Sequence, residues 1–265
     1  MAGLQALLGT TLILVAHPDD EVIGFGALMQ QMRRPVVAFA TDGAPHDPYF
    51  WKEYGSREAY ADIRREEARA ALAIVGAEPV FLADLVSGGI ADQELFHVLP
   101  QAMEAFSHLI NDLKPDALLT LSYEGGHPDH DCACFIATLV GRRTGIPVWE
   151  APLYHRHPDG SGAIQNFHQR SGDEIELRVE GEAMGKKLDM FHTYKSQKLT
   201  LDVFRPEIEI FRPVAAYDFT RRPMPWKLNY ELWQWKMNGD QVARAFAECL
   251  QQTDTTSSRH GGSGG

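Results

Sequence analysis

Twice in this chain a short apolar run leads into a His-Pro step and then an acidic helical start, and few folds can use that device twice. Residues 11–15, Thr-Leu-Ile-Leu-Val, read as a buried strand. Ala16-His17-Pro18-Asp19-Asp20-Glu21 follows directly. Pro18 biases His17 away from helix, so His17 ends the extended run. Pro18 itself suits the first turn of a helix, where its missing N–H is no loss. Asp19, Asp20 and Glu21 then occupy that turn, where the helix dipole favours negative charge. His17 and Asp20 are three residues apart and can point at one spot. The second copy runs from the apolar stretch 117–121 into Gly126-His127-Pro128-Asp129-His130. By the same reasoning His127 is extended, and Asp129 and His130 sit in an opening helical turn.

The rest of the first 150 residues alternates strand and helix patterns. Strands are predicted over 11–15, 35–40, 79–82, 116–122 and 147–150, and helices over 21–33, 57–75, 93–113 and 129–144. Gly76 stops the second of these helices. Such alternation predicts an α/β fold, a Rossmann-like doubly wound, mostly parallel sheet with helices on both faces. In the strand order 3-2-1-4-5 the first and fourth strands are neighbours at the topological switch point. The two His-Pro steps end those strands, so the topology brings them together in the crevice where such folds bind ligands.

A catalytic zinc site takes about three protein ligands and keeps one position open. His17, Asp20 and His130 supply three. Asp19 and His127 are then left beside the metal, placed for a base and an acid. A dinucleotide site is rejected: Gly24-Phe25-Gly26 lies inside a predicted helix and lacks the third glycine. Cys132 and Cys134 read as small buried helix residues, since a single C-x-C lacks the partners that zinc requires.

AHPDDE near the N-terminus with a later HPDH resembles the LmbE-like, or PIG-L, deacetylase family. Arg64-Arg65-Glu66-Glu67 followed by Ala70-Ala71 and Val75-Gly76 is similar to that family's R-x-x-E…A…L-G helix, and Lys187 with Ser196-Gln197 to its late K…SQ element. The resemblance implies a zinc-dependent hydrolase, with another divalent transition metal as a substitute. It would remove acetyl from a small-molecule N-acetylated amino sugar such as an N-acetylglucosamine conjugate. It implies His17, Asp20 and His130 as ligands, Asp19 as general base and His127 as the group facing the oxyanion. Asp129 would either orient and charge His127 or cap the helix, and Arg64 would contact substrate. Two other readings stay open: a metal hydrolase for a different acyl amide, and a non-catalytic metal- or nucleotide-binding module on the same fold. The exit loop Tyr123-Glu124-Gly125-Gly126 departs from the Gly-Tyr-Gly expected of the thiol-pathway members, which leaves a tyrosine role there unsupported.

Of the 265 residues, 36 are acidic and 25 basic, a formal charge of −11, which argues against a nucleic-acid partner. No apolar run approaches the roughly 20 residues of a membrane span. The apolar N-terminus lacks a basic start, and three cysteines make no disulfide framework. A cytoplasmic location is therefore expected, and a homo-oligomer is left open. Residues 1–252 are expected to form one domain, with a core over 1–150 and a β-rich, aromatic extension over 151–252 in which 155–162 reads as a polar loop. Residues 253–265, polar and rich in Gly and Ser, are expected to be a disordered tail or an expression scar. Trp226, Trp233 and Trp235 in the extension are read as core, with a sugar-stacking wall as the functional alternative.

Overall fold

The computed structural model of the protein describes residues 2–260, and the side chains of 5–252 within them. The first part follows the alternation read above. Its elements are α1 (Ala2–Leu7), β1 (Thr10–Val15), α2 (Asp20–Phe25), β2 (Arg34–Phe39), α3 (Arg57–Val75), β3 (Glu78–Phe81), α4 (Leu99–Leu113), β4 (Ala117–Leu121), α5 (Pro128–Thr144) and β5 (Val148–Ala151). The later part adds β6 (Tyr154–Arg156), β7 (Gly162–Ile164), β8 (Ile175–Arg178), α6 (Gly181–Thr193), α7 (Lys198–Leu201), β9 (Ile208–Pro213), α8 (Asn229–Leu232) and α9 (Gly239–His260). The seven-stranded sheet has the order β3-β2-β1-β4-β5-β9-β8. Its first five strands are parallel in the predicted order, and β9 and β8 extend it antiparallel.

The strands at the centre are apolar on both faces because both are covered. Alternation sends Leu12 and Leu14 of β1, with Leu118 of β4, into a layer shared with Phe106 of α4, Phe135 of α5 and Phe246 of α9. Ile13 and Val15, with Leu119 and Leu121, enter the opposite layer, which holds Phe25 of α2, Leu72 of α3 and Met190 of α6. The two His-Pro turns leave the sheet from its two most enclosed strands.

The structure departs from the predicted elements in four places. The helix predicted over 21–33 stops at Phe25. The Glu209 carboxylate draws the N–H groups of Ala27 and Leu28 onto itself at 2.7 and 2.9 Å, out of the helical ladder. The helix predicted from residue 93 begins at Leu99. Gln93 lies at φ 73°, and its N–H donates to Asp129 across the site. The stretch 155–162, predicted as a polar loop, contains the β6–β7 hairpin, whose histidines and glycines hide its pairing. Residues 253–260, predicted as tail, continue α9, since no Gly or Pro interrupts the helix before residue 261. Residues 261–265 of that expected tail lie outside the described residues.

Candidate active site

β1 and β4 end side by side, and the turns after them bring the two His-Pro steps together. The rings of His17 and His127 are 4.3 Å apart between centroids, and His130 lies 5.3 and 5.2 Å from them. Asp20 Oδ2 accepts the His17 N–H at 2.8 Å, folding the first motif on itself. Its Oδ1 is then turned to within 3.2 Å of His130 Nε2. That approach has no hydrogen-bond geometry, and both ring nitrogens of the buried His130 lack a hydrogen-bond partner. Donor atoms that converge without sharing protons are what a cation site requires.

The electrostatics say the same. Burial opposes the charge of Asp20, yet His130 and His17 outweigh it and hold the carboxyl well below its usual range. Burial likewise opposes a charge on His17, but Asp92, Asp129 and Asp20 raise its pKa well above the ordinary value. These buried carboxylates demand a positive charge, and imidazoles mixed with carboxylates suit a divalent transition-metal ion. His17, His127 and His130 each bring a ring nitrogen to within 4.8 Å of the others, as do the ligand atoms of His17, Asp92, His127 and Asp129.

Asp19 sits at the same point in an unusual conformation, φ 129° and ψ −26°. An L-residue held there carries strain of order 1–3 kcal/mol. Its N–H donates to Glu21 Oε2 at 3.0 Å, and its Oδ2 lies 3.1 Å from Arg64 Nη2. Arg64 is 4% exposed, and it also donates to the carbonyls of Pro18 and Gly43, both at 2.5 Å. The sequence reading made Arg64 a substrate contact. Its guanidinium lines the cavity and is also bonded to the loop that carries Asp19, so it positions that carboxylate. Burial pushes the Asp19 carboxyl up to about 7, against the pull of Arg64.

Asp129 and His127 meet through the backbone of one and the ring of the other. The Asp129 N–H donates to His127 Nδ1 at 3.1 Å, whereas its carboxylate stays 3.9 Å from that nitrogen. The carboxylate accepts instead from the N–H groups of Gln93 and Leu95, and its Oδ2 lies 3.3 Å from His17 Nε2. The acid facing His127 is Asp92, with Oδ1 3.3 Å from His127 Nε2 and 3.3 Å from His17 Nε2. Sequence reading missed Asp92. It ends a glycine-containing loop with no motif, and only the contact between loops delivers it. Because Nδ1 accepts a backbone N–H, the neutral His127 ring carries its proton on Nε2. Burial, and then His17, lower its pKa, so the ring faces the site as a neutral donor rather than an imidazolium.

These residues floor a cavity of about 480 Å³. Its walls include Tyr49, Phe50, Tyr154, Trp233 and Trp235. Trp233 is half exposed at the mouth, and Trp235 packs against His127 with centroids 4.9 Å apart. Trp226 lies elsewhere, its indole N–H on the Arg156 carbonyl. Tyr123 is likewise away from the site, donating to the Arg221 carbonyl, while Tyr154 closes against His130. A Cβ on Gly126 would meet the Tyr154 carbonyl oxygen at 2.1 Å, so glycine is needed for this approach. Of the late Lys and Ser-Gln residues, Gln197 lines the cavity and donates to Tyr60 Oη at 2.6 Å, whereas Lys187 and Ser196 are structural ties. Lys187 pairs with Glu209 at 2.6 Å, and Ser196 Oγ donates to Glu67 at 2.6 Å. Cys132, Cys134 and Cys249 are buried free thiols. Among the described residues no helix is long and apolar enough to cross a membrane.

The chain is similar in sequence and in fold to known deacetylases. Residues 12–140 match the family model described as PIG-L, GlcNAc-PI de-N-acetylase. The 1D-myo-inositol 2-acetamido-2-deoxy-alpha-D-glucopyranoside deacetylase of Corynebacterium glutamicum is 25% identical over 246 residues, covering 82% of this chain and 83% of its own. The probable N-acetyl-alpha-D-glucosaminyl L-malate deacetylase 2 of Bacillus subtilis is 31% identical over 138 residues, covering 48% of this chain and 58% of its own. Among solved structures, the A40926 pseudoaglycone deacetylase Dbv21 superposes with a TM-score of 0.61 at 23% identity, over 78% of this chain and 99% of that one.

Proposed function

This chain belongs to the PIG-L family, and on that premise we propose that it is a metal-dependent amide hydrolase that removes acetyl from an N-acetylglucosamine conjugate. The observation that carries this reading is the juxtaposition of Asp19 with the His17, Asp20 and His130 donors. A buried carboxylate with no metal-ligand role is held in strain at the edge of a cation site, where a base is needed. The inositol-linked and malate-linked amino-sugar names of the relatives supply the substrate class.

His17, Asp20 and His130 would hold the ion, and two imidazoles with one carboxylate suit zinc. His127 is set apart from them, because a ring whose Nε2 carries the proton donates rather than ligates. The bound ion supplies Lewis acidity and brings the pKa of a water towards neutrality. Asp19 takes the proton of the attacking water, with Arg64 fixing the direction of its carboxylate. His127 Nε2–H, which lies 3.3 Å from Asp92 Oδ1, would be the donor offered to the acetyl oxygen as it gains charge. Asp19 then returns its proton to the departing amine nitrogen, so that one water and one amide give acetic acid and an amine, which ionise to acetate and ammonium. The aromatic mouth at Tyr49, Phe50 and Trp233 offers stacking surface for the rest of the conjugate. The second reading, a metal hydrolase for a different acyl amide, would use the same aromatic surface.

The test is release of acetate from a panel of N-acetylglucosamine conjugates, inositol- and malate-linked ones included, by enzyme loaded with zinc. Acetate release that chelation abolishes is expected. Turnover of other acyl amides alone would move the assignment to the second reading, and no turnover of either class with metal bound would remove the hydrolase reading.

A further inference from the structure

We infer that His155, His157 and His168 form a second binding site for a divalent transition-metal ion, distinct from the crevice at His17 and His130. The three histidines take no part in the chemistry above, and none lines the catalytic cavity. One ring nitrogen of each lies within 4.8 Å of one nitrogen of the other two. His155 and His157 are alternate residues on the run that forms β6 and its turn, so they share a side, and Arg156 points elsewhere. Arg156 is held by Asn229 at 2.5 Å and the Gly160 carbonyl. The β6–β7 turn, closed by His157 N–H onto the Ser161 carbonyl, presents His157 to solvent. His168 arrives from the segment after β7.

The rings are prepared as ligands. His155 is 1% exposed, and its Nδ1 lies 3.3 Å from Glu124 Oε2. Glu124 is itself fixed, its Oε1 accepting from Leu153 N–H and Tyr154 N–H at 2.7 and 2.9 Å. A carboxylate on Nδ1 fixes the proton there and leaves Nε2 with its lone pair, the arrangement found behind metal-bound histidines. His155 Nε2 is buried with no hydrogen-bond partner, and so is His168 Nδ1. Unpaired buried imidazole nitrogens are unfavourable in a protein that binds nothing there. In a tetrahedral zinc site ligand nitrogens stand about 3.4 Å apart. The exposed His157 side chain can close the remaining distance.

Three imidazoles select zinc, copper or nickel over calcium or magnesium. An ion there would clamp the β6–β7 hairpin to the segment at His168. Through Glu124 it would also brace the loop that delivers His127. The fourth position opens to solvent at His157, so the site loads and unloads independently of the catalytic cavity.

The test is metal content after equilibration with free zinc, read by elemental analysis on wild type, His157→Ala, His168→Ala and His17→Ala. Wild type is expected to hold about two ions per chain and each of the three variants about one, following the three-ligand pattern of each site. His17→Ala should retain the ion that His157→Ala loses, and cobalt substituted into His17→Ala should show a spectrum that added His157→Ala abolishes. His157 is exposed, so its variant decides the matter if His168→Ala does not fold. Wild type holding one ion that His17→Ala removes would overturn the site. So would a second ion whose affinity is unchanged in His157→Ala. Neither result bears on the acetate-release test.

Discussion

The backbone N–H of Asp129 donates to His127 Nδ1 at 3.1 Å, while the Asp129 carboxylate turns to His17 Nε2 at 3.3 Å. One residue thereby sets the proton position of the donor ring and supports the ring proposed as a metal ligand. Replacing the side chain should affect the second function and spare the first. Asp129→Ala is expected to weaken metal binding by roughly 10–100-fold, the usual effect of losing the partner behind a ligating histidine. Chelator competition measures it, and unchanged affinity would detach Asp129 from the metal.

His127→Ala should give the converse result. Metal affinity should stay close to that of wild type, while turnover falls by roughly 10²–10³-fold, as for loss of one oxyanion donor. Loss of the ion in this variant would make His127 a ligand and close the position that water requires.

Asp19→Asn keeps the shape of the side chain and removes its basicity. Metal content should be retained and turnover should drop by roughly 10²–10⁴-fold, the contribution of a general base. Near-normal turnover in a metal-loaded variant would take Asp19 out of the mechanism.

Arg64→Met leaves Asp19 buried without its cation partner and strips the Pro18 and Gly43 carbonyls of their donor. The expected loss of stability is about 3–5 kcal/mol, typical of breaking a buried pair from one side. Asp19→Asn added to Arg64→Met should recover part of it, as urea unfolding of the two variants would reveal. Equal stability of single and double variants would show that the pair is not coupled.

Glu150 on β5 supplies a pH dependence far from the metal ligands. Its carboxylate is buried and accepts from Arg212 Nε and Tyr217 Oη, both at 2.8 Å. Burial pushes its pKa up from 4.5 to about 7, with Arg212 pulling the other way. The folded state therefore holds a proton that the unfolded state has released between those values. The contribution of this group is full below the unfolded pKa and declines as pH rises towards 7, by at most about 1.4 kcal/mol per pH unit. Glu150→Gln should remove that slope, so the stability difference between variant and wild type should shift in favour of the variant from pH 5 to pH 7 and level off above. A difference independent of pH across that range would refute the assignment.

Much of this molecule was readable from local chemistry. Pro18 and Pro128 fix the residues before them as extended, and the acidic turns after them start helices. The apolar runs at 11–15 and 117–121 can only be covered strands, and their order in a doubly wound sheet follows from alternation. His17, Asp20 and His130 can therefore be grouped from the sequence, because each stands at a fixed offset from a strand end. What the sequence left undetermined depends on segments far apart in the chain that have no periodicity. Asp92 reaches the two histidines from a loop without a motif. Asp129 changes partner because Gln93 and Leu95 bring their N–H groups to it, and Arg64 is captured by carbonyls 21 and 46 residues away. His155, His157 and His168 meet because a polar stretch folds into a hairpin and Glu124, 31 residues earlier, turns the first ring. Backbone preference acts over a few neighbours and is written in the sequence. The pairing of buried charges and lone pairs is decided when loops pack, since only then does the absence of water make each unmatched group unfavourable.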